Sequence, residues 1–154
     1  MRGSPRHLLV PNANSPELLT RLLDMIGRDV AFITEGDAML YSTFLHILEV
    51  LRETVPALDH EVVPGVSSIN AAAALTGLPL GQGDERIAII HATWREDELR
   101  ETLLGFDAVV LMKVSRVLPK VLDLLDELGM KDRAALVSRG TAAQQIVTRD
   151  LERF

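Results

Sequence analysis

The sequence predicts an α/β protein of two lobes, each a parallel or mixed sheet covered by helices. Three observations lead there. Short apolar, strand-forming runs alternate with stretches of helical periodicity along most of the chain, and near-continuous apolar strands belong to sheets covered by helices. Two strand–turn–helix junctions follow one another, after residues 30–34 and after residues 61–63, which sets two polar, backbone-rich loops at one end of a parallel sheet. In open α/β sheets that is the end where ligands bind. A composition break, Leu78-Pro79-Leu80-Gly81-Gln82-Gly83-Asp84, divides the first alternation from the second and reads as a hinge. Residues 1–14 are therefore expected to be a leader or disordered tail, 15–80 an N-terminal α/β lobe, and 81–154 a C-terminal α/β lobe.

Each element follows from local chemistry. Met1-Arg2-Gly3-Ser4 reads as a vector-type leader, and residues up to Asn14 show no period. Ser15-Pro16-Glu17 reads as cap, first-turn proline and favourable acid of a helix. Its apolar stripe is Leu18, Leu19, Leu22, Leu23 and Ile26, and Gly27 ends it. Residues 30–34 form a strand and 35–39 a turn. Phe44, Leu45, Leu48 and Leu51 mark one face of a helix over about 42–52. Residues 61–63 are a short strand closed by Pro64-Gly65. Ser67 or Ser68 caps an alanine-rich helix that Gly77 and Pro79 end. Strands follow at 86–91, 108–113 and 134–137, with one starting at 146–151. A helix spans 95–104, and an amphipathic one runs from 115 or 116 to 128, with Pro119 in its tolerant first turn.

Composition narrows the function. The chain has 154 residues, 47% of them apolar, enough to bury a core. Net charge is −6 with no Lys/Arg cluster, which weighs against nucleic acid or an anionic membrane as partner. Cysteine is absent, so disulfides and thiolate metal sites are excluded, and the four histidines lack ligand-like spacing; no metal site is expected. No apolar run is long enough to cross a bilayer, so the expectation is a cytoplasmic protein.

Taken singly, the candidate residues are ambiguous. Gly36-Asp37 after a strand suits a plain turn, in which Gly supplies the unusual φ and Asp bonds its own backbone. On spacing alone the plain turn is favoured over the functional reading, a loop where a ligand approaches the backbone at Gly36 while Asp37 pins the chain. Ser67 and Ser68 are good caps, and the N–H groups there can also hold an anion. Neither loop has the spacing of a phosphate-binding loop or a dinucleotide fingerprint. Met112, Lys113 and His91 end strands, and Tyr41 and Trp94 suit either a pocket wall or packing.

The ordered set says more. It comprises Asp29-Val30-Ala31-Phe32-Ile33-Thr34-Glu35-Gly36-Asp37, Leu40-Tyr41-Ser42-Thr43-Phe44 and Glu61-Val62-Val63-Pro64-Gly65-Val66-Ser67-Ser68. Gly77-Leu78-Pro79-Leu80, Gly83-Asp84-Glu85-Arg86, Val110-Leu111-Met112-Lys113-Val114, Leu118-Pro119-Lys120-Val121 and Ile146-Val147-Thr148-Arg149-Asp150-Leu151 follow in order. Over residues 28–154 this series resembles the tetrapyrrole (corrin/porphyrin) methylase family, and within it the precorrin-2 C20-methyltransferase branch. The resemblance implies a two-lobed tetrapyrrole-methylase-like fold, a homodimer, S-adenosyl-L-methionine as cofactor, and methyl transfer to C20 of precorrin-2 or its cobalt form in cobalamin biosynthesis.

By the same resemblance Gly36, Asp37 and Leu40 would form the first cofactor loop and Ser67 and Ser68 the second. Met112 would pack on the cofactor, and Gly140 would let the backbone approach its adenosine. No catalytic acid or base is identified. Ala38 stands where the family usually carries proline, which costs stiffness rather than the site. The family's opening glycine-rich strand and its closing residues are not recognised in the chain, so exposed edges, association and weakened or absent catalysis are expected. The alternatives are a sibling methylase acting at another ring position and a non-catalytic binding or assembly module.

Overall fold

The computed structural model describes residues 6–8, 20–21, 24, 29–92 and 95–153. The chain divides into two compact units, Met1–Ser67 and Ser68–Phe154, so the division falls N-terminal to the 78–84 segment and the alanine-rich helix belongs with the second unit. The expected helix from Ser15 lies largely outside the described residues; Thr20 and Arg21 are helical, and the Asp24 N–H donates to the Thr20 carbonyl at 2.9 Å. Trp94 also lies outside them.

In the first unit β1 (Arg6–Leu8) pairs in parallel with β2 (Val30–Phe32), Arg6 opposite Val30 and Leu8 opposite Phe32. Residues 6–8, within the stretch expected to be a tail, thus form a strand. Three residues have too short a pattern to announce a strand, and their partner lies far along the sequence. Helix α1 (Phe44–Thr54) buries Ile47 and Leu48, and the Phe44 ring meets Phe32 at a centroid distance of 5.4 Å. It stops where Pro56 disfavours helical backbone at Val55, whose φ is −131° and ψ 74°. The strand expected at 61–63 does not form. Val63 is 75% exposed, no described strand pairs with this segment, and Pro64 brings no N–H to a ladder.

In the second unit β3 (Ile87–His91) pairs in parallel with β4 (Ala108–Met112), joined by α3 (Glu96–Gly105). The two strands share one register, from Ile87 opposite Ala108 to His91 opposite Met112. Ile90, Val109 and Leu111 point into a core of Leu99 and Leu103 from α3, Val121, Leu122, Leu124 and Leu125 from α4 (Leu118–Glu127), and Leu151. Three acids, Glu96, Asp97 and Glu98, open α3 where the helix dipole favours them. Arg100 then ties α3 to α4, donating to Glu127 at 2.8 and 3.0 Å and to Glu96 at 2.9 Å. Residues 114–116 form a 3-10 turn, so α4 begins later than its periodicity suggests, with Pro119 in its first turn. The helix closes with the Met130 N–H on the Leu125 carbonyl and the Gly129 N–H on that of Asp126.

The remaining elements of this unit are a strand pair and a helix. β5 (Leu136–Ser138) starts two residues later than expected and pairs antiparallel with β6 (Ile146–Thr148), after which residues 151–153 form a 3-10 turn. Helix α2 (Ser68–Thr76) packs on β6. The Arg149 guanidinium donates to the Thr76 carbonyl at 2.7 Å, satisfying a carbonyl left open at the helix end. The described strands thus form three two-stranded sheets, two parallel and one antiparallel.

Candidate functional site

The first unit builds a joint between the two loops singled out in the sequence. After β2 the chain turns through Gly36, whose φ of +74° suits glycine. Asp37 then folds back on its own loop, its Oδ1 accepting the Met39 N–H at 2.8 Å. Its Oδ2 accepts the Gly65 N–H at 3.0 Å, from a loop 28 residues further on. Gly65 packs directly on the Gly36 carbonyl, and a Cβ at Gly65 would collide with that oxygen and lie 3.0 Å from its carbon. The two main-chain donors, Gly65 first and Met39 second, hold the Asp37 carboxyl below the usual carboxylate range against a smaller opposing effect of burial. Ser42 ties off the far end of the loop: its Oγ accepts the Phe44 N–H at 3.1 Å and lies 3.3 Å from the Thr34 hydroxyl.

Several large apolar side chains are exposed around this joint. Ile33, Met39, Tyr41, Val63 and Val66 are all exposed, Val66 by 72%, and three of them lie within two residues of the Asp37–Gly65 hydrogen bond. Scattered exposed apolar residues are ordinary, but here several gather on two adjoining loops. Gly65, Met39, Val63 and Val66 were not among the residues the sequence singled out for ligand contact. The Pro64-Gly65 pair reads as a turn, and nothing local announces that its glycine meets Gly36.

The other expected site residues fall in known places. Leu40 is half-buried in the first loop, and Ser67 is buried just before α2, which begins at Ser68. Met112, half-buried, ends β4 opposite His91. The tight space at Gly140 is taken by the chain itself, since a Cβ there would lie 3.2 Å from Leu75 and from Val137. Among the described residues, the non-glycine positions with positive φ are Tyr41, Lys113, Arg139 and Thr141. Each adjoins an expected cofactor residue: Leu40, Met112, and Gly140 on both sides. Left-handed backbone at non-glycine residues is uncommon and concentrates at ligand sites.

No group of three or more His, Asp or Glu fit to hold a metal ion occurs among the described residues, and none of their helices is long and apolar enough to cross a membrane.

The described residues thus define an α/β protein in which the loop after β2 and the 61–66 segment are joined through Asp37 and Gly65 and bordered by exposed apolar side chains. Solved structures share the fold. Cobalt precorrin-4 methyltransferase, a cobalamin biosynthetic enzyme, aligns with a TM-score of 0.68 at 22% identity, over 89% of this chain and 63% of that one. Uroporphyrin-III C-methyl transferase from Thermus thermophilus, complexed with S-adenyl homocysteine, aligns with a TM-score of 0.56 at 24% identity, over 86% and 60%. The profile of the Tetrapyrrole (Corrin/Porphyrin) Methylases matches residues 11–153, and the chain belongs to that family. Among curated relatives it is 38% identical over 122 residues to a precorrin-2 C(20)-methyltransferase of Sinorhizobium sp, covering 79% of this chain and 49% of that protein. It is 38% identical over 115 residues to the cobalt-precorrin-2 C(20)-methyltransferase of Salmonella typhimurium, covering 75% and 47%. The chain spans about half the length of these relatives.

Proposed function

We propose that this chain carries the S-adenosylmethionine-binding part of a methyltransferase acting on C20 of precorrin-2 or its cobalt form, in cobalamin biosynthesis. The observation that carries the proposal is the Asp37–Gly65 joint, which presents backbone and apolar side chains from two loops together. The names of the relatives supply the substrate class. The donor chemistry fits the cofactor. A nucleoside bearing a methionine tail needs main-chain N–H and C=O groups and an apolar slot, not a cluster of cations. Both loops offer that, and the left-handed backbone of Tyr41 beside Leu40 supports the assignment of that position to the ligand.

When bound, S-adenosylmethionine supplies a methyl group already activated on a sulfonium sulfur. The chain's own contribution is placement. Gly36 and Gly65 keep the loop backbone close, and Met39, Val63 and Val66 cover apolar surface and displace water; Ser67, Ser68, Met112 and Gly140 are proposed as cofactor contacts on the family resemblance alone. Aligning donor and acceptor and excluding water are the main levers for such a transfer. The protein acts as a homodimer, the exposed Ile87, Ile89, Leu104 and Phe106 of the second unit providing apolar surface for a second copy.

Isothermal titration with S-adenosylhomocysteine tests the binding, with a micromolar Kd expected. Turnover with precorrin-2 and cobalt-precorrin-2, followed by mapping of the methylated carbon, tests the chemistry. A methyl group at another ring position would replace the C20 assignment with a sibling activity. Binding without turnover would mark a binding module, and no binding at millimolar ligand would overturn the reading.

A further inference from the structure

Asp37 carries a charge at the centre of the proposed cofactor site, yet each of its carboxylate oxygens already accepts a main-chain N–H. Oδ1 holds Met39 within its own loop, and Oδ2 holds Gly65 in the other. The glycine pair adds a steric partner to this bond, because Gly65 rests on the Gly36 carbonyl with no room for a side chain. One carboxylate therefore fixes the spacing between the apolar residues of the first loop and Val63 and Val66 of the second. We infer that Asp37 is a positioning residue for the cofactor, acting through Gly65 to make the two loops a single rigid wall, and not a counter-ion that recognises the ligand's positive charge. The inference rests on the cofactor reading above and assigns the role of one residue within it.

The two roles separate by ligand chemistry. S-adenosylmethionine carries a sulfonium and an ammonium, S-adenosylhomocysteine only the ammonium, and methylthioadenosine neither. A latch serves all three alike, whereas a counter-ion serves the cations. The experiment is calorimetric titration of the three ligands into the full chain and its Asp37→Asn and Asp37→Ala variants, with amide hydrogen exchange at Met39 and Gly65. Asparagine keeps one acceptor oxygen and alanine none. The expected result is a common loss of affinity for all three ligands, on the order of tenfold in Asp37→Asn and larger in Asp37→Ala, with faster exchange at Gly65. A loss confined to the cationic ligands, or wild-type exchange at Gly65 in Asp37→Ala, overturns the inference and leaves the cofactor reading standing. Failure of the wild-type chain to bind any of the three overturns that reading, and this inference with it.

Discussion

Replacing Gly65 with alanine should separate the two loops of the proposed site by driving its new Cβ into the Gly36 backbone. The added Cβ would lie 3.0 Å from the Gly36 carbonyl carbon and closer still to its oxygen. Carbon atoms in ordinary contact sit about 3.5–4.0 Å apart, so the loops must part by roughly 0.5–1 Å. The Gly65 N–H lies 3.0 Å from Asp37 Oδ2. The same displacement carries it to about 3.5–4.0 Å, beyond a useful hydrogen bond. The neighbouring atoms are backbone, which cannot rotate aside as a side chain would. Affinity for S-adenosylhomocysteine should fall at least tenfold, about the loss expected for a sub-ångström misplacement at a preorganised site. Calorimetry measures the affinity, and amide exchange at Gly65 reports the broken bond. Gly105→Ala is the control, since nothing lies within 4 Å of a Cβ there and the position ends α3. Wild-type affinity in Gly65→Ala would refute the argument that the close approach matters to binding.

Leu124→Ala should destabilise the second unit most among simple truncations, because Leu124 is 2% exposed at the centre of its core. The cost is about 2–5 kcal/mol, or roughly 5–15 °C in Tm, read by thermal denaturation. Stability should also fall in acid. Asp37 is held below its ordinary value by the Gly65 and Met39 N–H groups, Asp107 by the Arg86 N–H, and Glu127 by the Arg100 guanidinium. A carboxylate depressed in the folded chain stabilises above its unfolded value, near 4, and that contribution is lost as pH falls through the folded value. The urea midpoint should drop below about pH 4, and Asp37→Asn should drop less steeply. Arg100→Met removes the link between α3 and α4 and should lower Tm modestly in dilute buffer and less in 1 M salt, because the pairs are partly exposed and screened. An unchanged difference at high salt would mean that packing of the side-chain stem, not charge, sets the effect.

The family was legible because its signal is colinear. Separate turns such as Gly36-Asp37 and Pro64-Gly65 mean little alone, but their order and spacing over residues 28–154 narrow the choices to one fold, and the profile match over 11–153 bears that out. Strong local periodicity carried α1, α3 and α4 to within a few residues, since a helix is closed by neighbours three and four positions away. Strands fared less evenly. β3 and β4 were plain because each is a nearly unbroken apolar run of strand-forming residues, while β1 was hidden in three residues and 61–63 looked like a strand without becoming one.

The sequence by itself determined the α/β class, the family, the helices and the two loops where a ligand would sit, because these rest on local periodicity, turn chemistry and residue order. Only the tertiary structure decided what those loops do to each other. Whether Gly36 touches Gly65, whether Asp37 spends its second oxygen on its own loop or on one 28 residues away, and whether Gly140 is crowded by Leu75 all depend on distances across space. A residue's identity states which bonds it is able to make; the packing of distant segments selects which it makes.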